Sequence, residues 1–337
     1  MTDQRKLFNG IPLSVLDLAP ITKGGSAEQS FKNSVKLARL VESLGFNRYW
    51  LAEHHNMPGI GSSATSILIG HIAGVTKRIR IGAGGIMLPN HATLVIAEQF
   101  GTLESLYPGR IDLGLGRAPG SDQATAYALR RTLSRGAEEF PQQVDELQAY
   151  FNYDPEARVR AIPGEGLNIP IWLLGSSGFS AQLAAQKGLP FSFASHFAPD
   201  YVLQALKLYR ENFKPSAVLQ KPYAMLGINI IAADTDDRAM WLSTSQQQQF
   251  LSLIRNRPTE LQPPVENIDE VMSPIERAHI EKTLDSSSTL VGSYDTVKQK
   301  LEAFIKETEA DEIIINSQIY YQEDRLKSYE IVAEMMD

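Results

Sequence analysis

The stretch LAEHHN, residues 51–56, sets a carboxylate, Glu53, and two adjacent imidazoles, His54 and His55, at the end of an apolar, strand-like run. Imidazole is the side chain that gives or takes a proton near neutral pH, and a carboxylate beside it can fix its charge or tautomer. Consecutive side chains of an extended segment point to opposite sides, so at most one of the two imidazoles faces any one cavity. Two other uses of these residues stay open. One is a metal site, although His71, His91, His196 and His279 show no ligand-type spacing. The other is a structural pair bonded to loop backbone.

Further along, LLGSSGFSAQLAAQ (173–186) ends a strand-like run at Gly175 and places Ser176, Ser177 and Ser180 at the start of an alanine-rich helix. Free N–H groups at a helix N-terminus, joined by hydroxyls, favour an anion such as phosphate. Ordinary N-capping would account for one hydroxyl of the three. In GLGRAPG (114–120) the third glycine of a dinucleotide loop is missing, and Pro119 stands in its way. The strand period instead puts Asp112, Gly114 and Gly116 on one face. Turned inward, these glycines leave room for a flat ring with Arg117 as an anion partner, or they serve close backbone packing. IGAGGIMLPNH (81–91) brings Gly82, Gly84 and Gly85 to the end of another strand, where the backbone must bend or let a ligand touch it.

These segments need elements to position them, and strand-like and helix-like runs alternate along the chain. The strand candidates are 11–18, 46–52, 79–84, 110–116, 169–175, 190–195, 223–233 and 312–316. Helical periodicity marks 27–44, 63–75, 93–106, 121–131, 140–151, 178–187, 199–213, 235–255 and 294–308 between and after them. Eight such units, with no reversal point for an open sheet, predict a single (β/α)8 TIM barrel domain over 1–337. In that fold the site lies where strands hand over to the following loops, where Glu53, His54, Gly84, Gly116 and Ser176 all fall. Asp17, ending the first strand, is the one further carboxylate expected at the mouth. A long insertion between strands seven and eight, 256–292, is rich in Pro, Ser and acidic residues and reads as a lid or as a surface loop.

Composition narrows the function. The net charge of −7 and scattered basic residues speak against a nucleic-acid partner, and the absence of cysteine removes disulfides and thiolate nucleophiles. No signal-like or membrane-length apolar run is present in the sequence, so a soluble, cytoplasmic protein without a membrane partner is expected.

The strings WLAEHHN (50–56), GAGGIMLPNH (82–91), PGRIDLGLGRAPG (108–120) and WLLGSSGFSAQLAAQKGLPFSFAS (172–195) together resemble the bacterial luciferase-like flavin-dependent monooxygenases. The likeness runs from about residue 11 to the C-terminus and is greater to the single-gene luciferase-like oxidoreductases than to a light-emitting subunit. It implies a (β/α)8 barrel that binds FMN, as FMNH2 from a separate flavin reductase, and uses O2, adding at flavin C4a, to oxidise a small organic substrate. It implies catalysis by His54 with Glu53 beside it, a cis peptide at Gly84–Gly85 beneath the flavin ring, and contact of the ring with Gly116. The phosphate is implied to rest on Arg117, Ser176, Ser177 and Ser180, and no metal site is implied. A homodimer through the helices at about 63–75 and 93–106 is also implied. The light emitters carry a cysteine where this chain has Gly116, and a carboxylate where it has Ser176. The first change argues against bioluminescence, and the second removes like charge from a phosphate site. A deazaflavin-dependent reductase of the same superfamily and a non-catalytic flavin-binding protein are the competing readings.

Overall fold

In the computed structural model, which describes residues 5–118, 123–130, 138–284 and 287–337, the apolar runs become strands of one closed barrel. A short strand β1 (Leu7–Phe8) pairs antiparallel with β2 (Ile11–Asp17), the first barrel strand. There follow β3 (Arg48–Leu51), β4 (Arg80–Met87), β5 (Ile111–Gly116), β6 (Ile171–Gly175), β7 (Phe191–Phe193), β8 (Ala224–Ala232), then β9 (Thr289–Gly292), which lies off the barrel path, and β10 (Glu312–Asn316). All barrel pairings are parallel, and β2 bonds both β3 and β10, which closes the ring of eight.

The helices are α1 (Ala27–Leu44), α2 (Thr65–Val75), α3 (Thr93–Leu106), α4 (Gln123–Arg130), α5 (Phe140–Phe151), α6 (Gly178–Lys187), α7 (Val202–Glu211), α8 (Asp236–Ile254), α9 (Pro274–Leu284), α10 (Tyr294–Thr308) and α11 (Gln322–Ala333). Their ends follow local chemistry. Ser26 caps α1 by accepting from the Gln29 N–H, and Gly45 stops it at φ 91°, a left-handed conformation that costs a residue without Cβ little. The same helix buries Leu37, Ala38 and Val41 against the barrel. Burial of such side chains is worth roughly 1.5–3 kcal/mol for each large one, and it holds the helix where propensity alone would not.

Strand parity sorts the core into two layers. Outward residues such as Leu13, Val15, Tyr49, Leu51, Ile81 and Leu113 pack under the helices. Inward residues Leu16, Trp50, Ala52, Trp172, Met225 and Ile314 fill the barrel itself. At the strands' N-terminal end the inner face turns ionic. Arg48 bridges Asp112 (2.7 Å) and Glu312 (3.0 Å), Arg80 adds a second contact to Asp112 (2.6 Å), and Tyr223 donates to Glu312 (2.9 Å). These paired charges fill the inner face at the floor, opposite the end where the strands finish.

Asp17 does not join that mouth. It shares the outward parity of Leu13 and Val15, is fully buried, and takes hydrogen bonds from Ser34 (2.6 Å), Arg325 (2.8 Å), the Ala19 N–H (2.9 Å) and the Tyr49 hydroxyl. Burial pushes its pKa up, but Arg325 and these donors outweigh that and hold it lowered, so it is an ionised strut between β2, α1 and α11.

The segment 256–292 carries structure of its own: a 3-10 turn at Ile268–Glu270, helix α9 and strand β9. β8 outruns its neighbours, pairing β10 over Met225–Asn229 and β9 over Asn229–Ala232. Above the barrel its inward residues Ile231 and Ala233 pack against Ala239 and Leu242 of α8 and against Ile319. Helix α8 therefore lies on the mouth side of β8. The insertion holds it from behind, where Gln248 donates to the Pro263 carbonyl (2.8 Å) and Thr244 accepts from the Val265 N–H (2.9 Å). Among the described residues, no helix is long and apolar enough to cross a membrane.

Candidate active site

The histidine pair divides as strand parity requires. His55 turns away from the cavity and its Nε2 lies 2.8 Å from Glu53 Oε1. The same oxygen meets His91 Nε2 at 2.9 Å, and Glu53 Oε2 accepts from the Met87 N–H at 3.0 Å. The carboxylate is only 1% exposed. Burial raises its pKa, but the hydrogen bonds from His55 and His91, the charge of His91 and the Met87 amide more than reverse this and bring it to about 2. Glu53 thus clamps the end of β3 to the end of β4 and to His91 rather than opening into the cavity. His54 faces the other way. With Asn56, Met57, Pro58, Ile60 and Ser63 it lines a cavity of about 320 Å³, and its Nδ1 is buried without a hydrogen-bond partner among the described residues. Burial lowers the His54 pKa against the opposing pull of Glu53, so the imidazole is neutral at neutral pH and can accept a proton.

Inward parity also holds for Asp112, Gly114 and Gly116. Asp112 bonds the inward Trp50 indole at 3.1 Å, and a Cβ on Gly114 would stand 2.1 Å from the Ala83 carbonyl oxygen. That distance explains this glycine by packing of β5 on β4. At Gly116 a Cβ would meet only the flexible end of Met87, at 2.6 Å. The Gly84–Gly85 bond is cis, at the position given by the resemblance. Gly84 abuts Leu16 and Trp50, while Gly85 abuts the Gly114 carbonyl and Leu174, so this backbone forms the inner wall beneath the mouth.

The serines gather at the N-terminus of α6. Ser177 occupies the N-cap in extended conformation, yet its side chain does not cap the helix. Ser180 is buried within the first turn, packed so closely under Gly175 that a Cβ there would lie 2.6 Å from its own. Among the described residues, no hydrogen bond engages the hydroxyls of Ser176, Ser177 or Ser180. Arg117 reaches the same place from the end of β5. Its guanidinium lies 4.1 Å from the centroid of Phe179, the second residue of α6, and no carboxylate among the described residues pairs with it. An uncapped helix start, three available hydroxyls and an unneutralised arginine make a donor set that fits a phosphate monoester.

One mouth residue was not legible as such in the sequence. His196, just after β7, is separated from β3 by three strands in either direction, yet its pKa responds to His54, so the two imidazoles approach from opposite walls. Burial lowers His196 to about 4, against an opposing rise from the Gly227 backbone. Its ring lies on Gly227, where a Cβ would come within 2.5 Å of Nδ1. Its carbonyl is held by Asn229 Nδ2 (2.8 Å), and Asn229 in turn accepts from Asn316 (3.0 Å). The available signal was its place one step beyond a strand end, which histidine spacing did not reveal.

The closed (β/α)8 barrel thus brings together, where its strands end, two imidazoles whose pKa values burial lowers and a donor set that fits a phosphate. The chain belongs to the luciferase-like monooxygenase family, which it matches over residues 11–312. It is 56% identical over 338 aligned positions to a luciferase-like monooxygenase of Escherichia coli K12, covering 100% of this chain and 99% of that one. The crystal structure of apo-MsnO8 is similar at a TM-score of 0.87 and 32% identity, covering 96% and 98% of the two chains. The fold alone is shared with the oxygenating constituent of 3,6-diketocamphane monooxygenase of Pseudomonas putida, solved with FMN (TM-score 0.71, 16% identity, 96% and 97% covered). It is shared likewise with an F420-dependent secondary alcohol dehydrogenase (TM-score 0.70, 13% identity, 97% and 99% covered).

Proposed function

We propose that the protein is a flavin-dependent monooxygenase that takes FMN in reduced form, FMNH2, together with O2 and a small organic substrate. The observation that carries this reading is the donor set formed by the uncapped α6, Ser176, Ser177, Ser180 and Arg117, in a member of the luciferase-like monooxygenase family. Reduced FMN would supply the two electrons with which one atom of O2 enters the substrate and the other leaves as water. The remaining work belongs to the chain. Arg117 and α6 anchor the phosphate, and the wall of Gly84, Gly85 and Gly116 supports the ring. His54, neutral and without a partner at Nδ1, takes or returns a proton at that nitrogen. Glu53, held ionised by His55 and His91, positions the loop that presents His54.

Exclusion of water falls to the insertion 256–292. Leu261 exchanges backbone bonds with Ile21 and Lys23 (both 2.9 Å), and Ile21 in turn bonds Gly59 (3.0 Å), so three loops join as a cover beside the His54 cavity. In this reading the flavin arrives already reduced, from a separate reductase, or NAD(P)H enters the same mouth transiently to reduce it. Exposed Ile67 on α2 and Val95 and Leu106 on α3 support a homodimer through those helices. A cytoplasmic setting suits this chemistry.

The test is an anaerobic titration with FMNH2, followed by admission of O2 while the absorbance spectrum is recorded. Saturable binding, then a spectrum distinct from free reduced and free oxidised FMN, supports the reading. Reoxidation along the time course of free flavin would count against it.

A further inference from the structure

Helix α8 starts on the inner side of β8, above the barrel rim, and carries an unusual stripe. From Ala239 and Leu242, which pack on the inner side of β8, the same helical stripe continues through Ser245, Gln246 and Gln249. All three are buried, Ser245 at 0%, Gln246 at 1% and Gln249 at 8% exposure. Each nevertheless keeps a polar atom without a partner among the described residues: Ser245 Oγ, Gln246 Nε2 and Gln249 Oε1. Ser317 Oγ, just beyond β10 beside Ile319, is in the same condition, as are His54 Nδ1 and His196 Nδ1. The opposite face of α8 is satisfied by the insertion through Thr244 and Gln248. Unpartnered buried polar atoms cost stability, so their gathering on the stripe that continues from the contact with β8's inner face calls for a function.

We propose that Ser245, Gln246 and Gln249 form the substrate-recognition wall and that the substrate carries an uncharged carboxamide-type group. Two points select that chemistry. Between them, two glutamine amides one helical turn apart offer both a donor and an acceptor, whichever way each amide is turned, which matches a group that presents C=O and N–H together. Residues 239–254 also include no charged side chain, and burial lowers the pKa of the imidazoles at the strand ends, His54 and His196, which leaves them neutral near pH 7. A carboxylate or an ammonium would be buried there without a counter-charge, which is strongly disfavoured. This inference rests on the mouth being the catalytic site, as proposed above.

Hexanamide, hexanoate and hexylamine are suitable probes, with binding measured by calorimetry on FMN-loaded and on flavin-free protein. Hexanamide is expected to bind wild type at least about tenfold more tightly than either charged analogue, a margin set by the cost of burying an unpaired charge. Gln246→Met and Gln249→Met should each weaken hexanamide by about five- to tenfold, the worth of one neutral hydrogen bond. Both variants should bind FMN as wild type does and keep or raise the Tm, because an apolar isostere replaces an unsatisfied group. Unchanged hexanamide affinity in both variants, tighter binding of hexanoate or hexylamine, or a fall in Tm would overturn the proposal. Failure of wild type to bind FMN would instead strike the functional reading, since the flavin-free samples still score the amide preference.

Discussion

Replacing Glu53 with glutamine removes a charge that the structure places at the junction of three elements. Its carboxyl is held at about 2 against an ordinary 4.5, and at 1% exposure there is little solvent to screen it. At about 1.4 kcal/mol for each tenfold change in proton affinity, the ionised form stabilises the fold by about 3 kcal/mol at neutral pH. The folded-state pKa is the lower one, so this contribution is complete above 4.5 and is lost as pH falls from 4.5 toward 2. Urea unfolding of wild type and Glu53→Gln should therefore differ by about 3 kcal/mol at pH 7 and by about half of that at pH 3. Taking the difference between the two proteins cancels every other carboxylate. FMN affinity should change little, because Glu53 touches the histidines and the Met87 amide rather than the cavity. A gap that is the same at both pH values would refute the claim that the histidines and the Met87 amide hold Glu53 ionised. Loss of FMN binding in a well-folded variant would refute its assignment as a positioning group.

His54→Ala should keep FMN affinity while product formation in a single turnover falls by about two to four orders of magnitude, the usual worth of a proton-transfer group. His55→Ala should mainly cost stability, about 1–3 kcal/mol in urea, and rates unchanged in both variants would return the pair to loop structure. Because burial lowers the His54 pKa, the acidic limb of kcat/KM should lie below 6.5, and a limb above that value would contradict the neutral imidazole. Gly59→Ala would put a Cβ 2.4 Å from the Thr259 carbonyl oxygen and push the insertion off its neighbours. Limited proteolysis should then cut 256–292 faster than in wild type, and an unchanged rate would count against a cover formed by these loops.

Much of this molecule was legible in its sequence because strand parity is a strict code. The runs at 11–18, 79–84, 110–116 and 312–316 each became a barrel strand, and parity put Asp112, Gly114 and Gly116 on one face, which the structure turns inward. The same rule applied to Asp17 would have placed it outside with Leu13 and Val15; position at a strand end suggested the mouth instead, and burial with Arg325 overruled it. β9 was not visible because four residues, TLVG, carry too little periodicity within a polar insertion. The serine- and glutamine-rich stripe of α8 reads in sequence as a solvated helix face. Its burial follows from the length of β8, which carries its inner face above the rim and gives α8 a surface to pack on. His196 was hidden for the same reason, since its proximity to His54 is a property of the closed ring and not of the chain.

Anchoring of FMN at the mouth by its phosphate can be measured by comparing FMN, riboflavin and F420 on wild type and Arg117→Ala. Flavin fluorescence on titration with protein gives each affinity. Wild type should bind FMN at least about tenfold more tightly than riboflavin, the order expected for charge-assisted hydrogen bonds to a phosphate. F420 should bind more weakly than FMN, and Arg117→Ala should remove most of the FMN advantage while riboflavin affinity is nearly unchanged. Equal binding of FMN and riboflavin by wild type, or tighter binding of F420, would contradict it.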